Sequence, residues 1–151
     1  MVEDLDLAGD LQTPQDIDKF ISEIGRHPNV KKLNLRYADL SNEETAERVI
    51  QELLKLKNLE DLNLESCKLG LNPDFASISK AFGSHPTLKV LNLAKNELHT
   101  RMDHIARIIY LNPWLTELNL RGNNIDASSL RSYARKLCMR HQAAILSTWV
   151  D

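Results

Sequence analysis

Four stretches decide how this chain is read: Val30-Lys31-Lys32-Leu33-Asn34-Leu35, Leu59-Glu60-Asp61-Leu62-Asn63-Leu64, Leu88-Lys89-Val90-Leu91-Asn92-Leu93 and Leu115-Thr116-Glu117-Leu118-Asn119-Leu120. They align without gaps, and an eroded copy, Val2-Glu3-Asp4-Leu5-Asp6-Leu7, opens the chain. Their first residues, 2, 30, 59, 88 and 115, stand 28, 29, 29 and 27 residues apart. Counted from each anchor as offset 0, apolar residues fall at offsets 3 and 5 and again at 10, as Leu40, Leu69, Leu98 and Ile125. Self-similarity at a fixed period of this size marks a stacked repeat, in which each unit buries its apolar face against its neighbours. The Leu-x-Leu alternation predicts a short strand with one buried face.

Between the strands lie stretches with helical spacing. They are Ile17, Phe20, Ile21, Ile24; Ala46, Val49, Ile50, Leu53, Leu54; Phe75, Ile78, Phe82; Met102, Ile105, Ile108, Ile109; and Leu130, Ala134, Leu137. Capping residues are expected at Thr13 before Pro14, at Ser41 with Glu44 three positions on, and at Asn72 before Pro73. Three helices are expected to stop at a recurring dipeptide, His27-Pro28, His85-Pro86 and Asn112-Pro113, because the residue before a proline disfavours the helical region.

These residues resemble the leucine-rich repeat family, whose pattern is Leu-x-x-Leu-x-Leu-x-x-Asn/Cys-x-Leu; offset 8 holds Ala38, Cys67, Asn96 and Asn123. The spacing, with a full helix in each repeat, is similar to the ribonuclease-inhibitor-type subclass. The resemblance covers nearly the whole chain. It implies an α/β fold, a right-handed solenoid forming a horseshoe segment, with parallel strands on the concave face and helices on the convex one. Parallel strands need a crossover connection, which agrees with the strand–helix alternation. One domain over residues 1–151 is expected. Ala143–Val150, 28 residues after Leu115, reads as a degenerate terminal strand with Trp149 closing the core. A strand at residue 2 with no helix before it suggests either an edge shielded by acidic side chains or a piece of a larger repeat protein.

Composition narrows the function. The 151 residues are 42% hydrophobic and 26% charged, an ordinary globular balance with a net charge of only −2. That charge, eight aromatics and the lack of a repeated basic–aromatic stripe disfavour a nucleic-acid partner. No apolar run is long enough for a membrane span, and the acidic N-terminus, which has no apolar core, is not expected to act as a secretory signal. Two cysteines, Cys67 and Cys138, make no disulfide framework, so a cytoplasmic, reducing location is expected. Charge is split along the sequence. Residues 1–25 carry seven acids against Lys19, a net −6, while residues 121–141 carry five bases against Asp126, a net +4. Such ends would serve as solvated caps or mediate self-association.

No motif for catalysis, metal ligation or phosphate binding is found, and no cofactor is expected. The five glycines are scattered, and there is no His-Glu-x-x-His, Cys-x-x-Cys or Gly-x-Ser-x-Gly. His27, His85 and Asn112 share one repeat position and read as helix-end residues. Cys67, in the slot held by Asn in later repeats, reads as a structural donor to turn carbonyls. Cys138 lies among Arg135, Lys136 and Arg140 and reads as a plain helix cysteine.

The informative positions are those the repeat does not dictate. Asn34, Asn63, Asn92 and Asn119, with Asp6, occupy offset 4 and should face away from the leucines, their amides bonding along the row. Offset 2 reads Asp4, Lys32, Asp61, Val90, Glu117, and offset 6 reads Ala8, Arg36, Glu65, Ala94, Arg121, with a less charged saddle at Val90 and Ala94. Tyr37 and Trp114 are candidate exposed aromatics of the kind that anchor interfaces. The expected partner-binding residues are Lys32, Asn34, Arg36, Tyr37, Asp61, Asn63, Glu65, Asn92, Glu117, Asn119 and Arg121. The expected activity is non-enzymatic binding of a protein partner through the concave face. The resemblance implies one alternative, a GTPase-activating or regulatory repeat protein; a bacterial effector or scaffold repeat domain, or a capping fragment of a larger repeat protein, is another.

Overall fold

The computed structural model describes residues 3–136, which form five strands and five helices in strict alternation. The strands are β1 (Asp4–Asp6), β2 (Lys32–Asn34), β3 (Asp61–Asn63), β4 (Val90–Asn92) and β5 (Glu117–Asn119). The helices are α1 (Asp16–Gly25), α2 (Glu43–Leu54), α3 (Phe75–Ser84), α4 (Met102–Leu111) and α5 (Ala127–Lys136). The sheet is parallel in the order β1-β2-β3-β4-β5, an architecture consistent with a leucine-rich-repeat-like solenoid. The expected terminal strand at 143–150, Trp149, Leu137 and Cys138 lie outside the described residues.

Each strand is three residues long, with its central leucine turned inward. Leu33, Leu62, Leu91 and Leu118 are all at most 2% exposed, and the offset-5 leucines Leu35, Leu64, Leu93 and Leu120 at most 1%. Helix side chains meet them from the other layer: Ile17, Phe20 and Ile24 from α1, Val49 and Leu53 from α2, Phe75 and Ile78 from α3, Ile105 and Ile109 from α4. Ile21, Leu54 and Met102, expected in the core, are only partly buried against it.

Helix starts depart from the expected caps. Gln15 precedes α1 without a side-chain cap, and the Asp16 carboxylate accepts from the Gln12 and Thr13 amides instead. Asn42, not Ser41, caps α2 by accepting from Thr45 N–H, while Ser41 donates to Asp39. Asp74, not Asn72, caps α3. Asn72 is buried and reaches back to donate to Leu40 O at 2.8 Å. One repeat on, the Arg101 guanidinium does the same, donating to Asn72 O at 3.1 Å and Gly70 O at 3.3 Å.

Buried polar side chains join the repeats. Asn96 accepts from the amides of Cys67 and Leu69 and donates to Leu64 O and Ala94 O. Asn123 treats Asn96, Leu98, Leu93 and Leu120 in the corresponding way. Cys67 supplies the donor half of that role, its thiol pointing at Leu35 O, 3.2 Å away. A second slot lies at the helix ends. His85 Nε2 bonds to Leu53 O at 3.1 Å, and Asn112 Nδ2 donates to Phe82 O at 3.3 Å. His27 has the same position but pairs with Glu23 of its own helix.

Candidate functional site

The residues flanking each inward leucine point away from the core, and the register aligns them from strand to strand. Asp4, Lys32, Asp61, Val90 and Glu117 form one row, and Asp6, Asn34, Asn63, Asn92 and Asn119 the next. Parallel neighbours lie about 4.8 Å apart, so each row is a closely spaced line of side chains across the sheet. The structure therefore brings Lys32, Asn34, Asp61, Asn63, Asn92, Glu117 and Asn119 onto one strand face. Lys32 and Glu117 are exposed, and the other five are half-buried.

The asparagine row is not an amide ladder. Each Oδ1 accepts from the backbone N–H two residues on, at 2.9 Å from Arg36, 3.0 Å from Glu65, 2.9 Å from Ala94 and 3.0 Å from Arg121. Asp6 does the same for Ala8. These are Asx turns, which end each strand after three residues and turn the chain toward the buried slot at offset 8. The amide NH2 groups take no part in this bond, so the row retains donors that a partner's carbonyls could use.

The turn that follows has a left-handed residue at offset 7 in every repeat: Gly9, Tyr37, Ser66, Lys95 and Gly122, with φ between 56° and 77°. The amides of the first four bridge repeats, Tyr37 N–H to Glu65 O and Lys95 N–H to Arg121 O among them. A left-handed conformation is costly for a bulky side chain. Tyr37 is 49% exposed, and the Arg36 guanidinium lies 4.7 Å from its ring centroid. Arg36 also pairs with Glu65, whose other carboxylate oxygen is 3.9 Å from Lys95 Nζ. Arg36, Tyr37 and Glu65 are thus one constellation spanning two repeats. Arg121 is exposed at the far end of the same row. Ala94 is 3% exposed, so the expected neutral saddle comes down to Val90, which is half-buried.

Charge is handled differently in two neighbouring rows. At offset 1 acids and bases pair across strands, Lys31 with Glu3 at 3.6 Å and Lys89 with Glu60 at 3.3 Å. At offset 2 burial pushes the Asp61 carboxyl above the ordinary range; Lys32 opposes the shift, and Glu117 and Asp4 add to it.

Exposed apolar side chains that the sequence reading passed over are Leu71, Tyr110 and Leu111. Tyr110 and Leu111 follow Ile108-Ile109 out of phase with the buried face of α4, and that phase slip was the available signal. Trp114 is 61% exposed. Cys67 is fully buried, which pushes its thiol up to about 12 and keeps it neutral in its donor role. Among the described residues no group of three or more His, Cys, Asp or Glu is placed to hold a metal, and no helix is long and apolar enough to cross a membrane.

A family model described as Leucine Rich repeat matches residues 111–132, the segment containing β5 and the first turns of α5. This match supports a leucine-rich repeat family and suggests a protein-interaction module. No curated protein and no solved structure matches the chain.

Proposed function

We propose that this chain is a non-enzymatic protein-binding module, a single ribonuclease-inhibitor-type solenoid over residues 1–151 that receives a protein partner on a concave strand face. The observation that carries this reading is the in-register array of outward side chains over five strands. Core leucines occupy the inward positions, so the outward ones vary from Lys to Asp to Val at no cost to packing. Backbone and side-chain bonds between repeats hold the surface rigid, which lowers the ordering cost of association. The contact residues are Lys32, Asn34, Arg36, Asp61, Asn63, Glu65, Asn92, Glu117, Asn119 and Arg121, with Tyr37 as an aromatic anchor. A cytoplasmic location fits the free, buried Cys67.

The test is capture from cytosolic lysate by the wild-type chain and by an Arg36→Glu/Glu65→Lys/Arg121→Glu variant. The first two changes invert the surface charges yet can re-form their mutual ion pair, and circular dichroism checks the fold. A protein held by wild type and lost by the folded variant supports the reading. Equal capture by both removes the strand face from it.

A further inference from the structure

The strand face has a periodicity of its own. Asp4, Asp61 and Glu117 stand on alternate strands, β1, β3 and β5, in one row. At about 4.8 Å per strand, successive carboxylates repeat every ~9.6 Å. Among the described residues none of the three forms an ion pair, whereas the offset-1 row beside them is neutralised by Lys31–Glu3 and Lys89–Glu60. Between them stand Lys32 on β2 and Val90 on β4. At the β1–β3 end the face is dished into a hollow of about 270 Å³ bordered by Asp4, Lys32, Asp61 and Asn63.

This spacing selects among extended ligands. In a β-strand, side chains on one face repeat every ~6.6–6.8 Å, which falls out of step with the carboxylates within one repeat. A polyproline II segment has three residues per turn and ~3.1 Å rise, so one edge repeats every ~9.3 Å. We propose, building on the concave-face reading above, that the strand face takes an extended basic segment of another protein. The segment adopts polyproline II form, carries Lys or Arg at every third residue and crosses the strands over Asp4, Asp61 and Glu117. The intervening residues pass over Val90, which offers an apolar contact, and over Lys32, which repels a cation placed out of register. Lys32 thereby converts general attraction for positive charge into a preference for spacing. The outward amide groups of Asn63 and Asn92 lie in the adjacent row, where they can donate to the carbonyls that a polyproline II backbone leaves without internal partners.

The experiment measures fluorescence anisotropy of two labelled nonapeptides of identical composition. One is Arg-Pro-Pro-Arg-Pro-Pro-Arg-Pro-Pro, and the other has its three arginines contiguous at the start. Wild type is expected to bind the spaced peptide at least about tenfold more tightly, with the preference falling as salt screens the charges. The Asp4→Asn/Asp61→Asn/Glu117→Gln variant should lose the preference, whereas Glu3→Gln/Glu60→Gln should stay within about twofold of wild type for the spaced peptide. Lys32→Ala should narrow the gap between the peptides by tightening the contiguous one more. Equal wild-type affinities, or equal weakening by both amide variants, would overturn the proposal. If the peptides fail but lysate capture still depends on Arg36, Glu65 and Arg121, the concave-face reading stands and only the basic segment is lost. If both fail, both readings fall.

Discussion

Asn96 uses both ends of one amide to satisfy four backbone groups in the interior, on two different repeats. Leaving buried donors and acceptors unmatched costs about 1–3 kcal/mol each, softened where water enters. Asn96→Ala is therefore expected to lose about 3 kcal/mol by urea denaturation. Asn96→Cys, which retains the donor as Cys67 does in the preceding repeat, should lose less. His85 makes a different prediction. It is 4% exposed, and burial lowers its pKa from the ordinary 6.5; Lys57 lowers it further, while the bond to Leu53 O opposes the shift. The neutral ring, donating from Nε2 to Leu53 O and accepting at Nδ1 from Thr87 N–H, is the folded form. The unfolded chain thus binds a proton more readily, so His85 stabilises the fold fully above its unfolded pKa. That contribution is lost as pH falls below about 6.5 toward the folded value. His85→Asn, which places the Asn112 side chain in this slot, should flatten that part of the stability–pH curve.

At the scale of elements the decisive contacts lie between successive turns. Gly70, in the short 3₁₀ turn Leu69–Leu71, donates to Asn96 O at 2.8 Å, and a β-carbon there would stand 2.0 Å from Glu97 O. Gly70→Ala must separate two turns, and a loss of about 2–3 kcal/mol in thermal unfolding is expected. Gly25→Ala, where the added methyl meets nothing within 4 Å, should instead stabilise α1 by about 0.5 kcal/mol. Strand and helix order could be read from the leucine spacing because every strand needs an inward leucine and every helix an apolar stripe. Helix starts could not. Asn, Asp and Ser all stand near the starts of α2 and α3, and which one caps depends on which is drawn into another contact, as Asn72 is into the preceding repeat. The same ambiguity hid the true role of the asparagine row. An amide that could bond sideways to its neighbour can equally close its own turn, and the local bond wins. The outward direction of these residues was legible, since period 2 fixes it, whereas the burial of Ala94 and the pairing of Arg36 with Glu65 depend on turn geometry.

The described residues share one continuous core from Leu11 to Leu130, yet each helix and strand touches chiefly its immediate neighbours in the stack. Stability in such an array is carried by nearest-neighbour interfaces. Leu91→Ala, at a fully buried position in the fourth repeat, is expected to cost about 2–5 kcal/mol. It should also uncouple the two halves, seen as a broader urea transition with a smaller slope. A lower midpoint with unchanged slope would mean that the stack still unfolds as one unit. The buried slot at offset 8 has one more consequence. Asn123 reaches back to Asn96, Leu98 and Leu93, and Asn96 reaches back to Cys67, Leu69 and Leu64. The joint is the same coupling used twice, like that between carriages of a train. A chain carrying residues 88–114 twice in tandem would meet matching donors and acceptors at its one new junction, where Asn96 of the second copy takes the place of Asn123 against the first, so its length could be changed one carriage at a time.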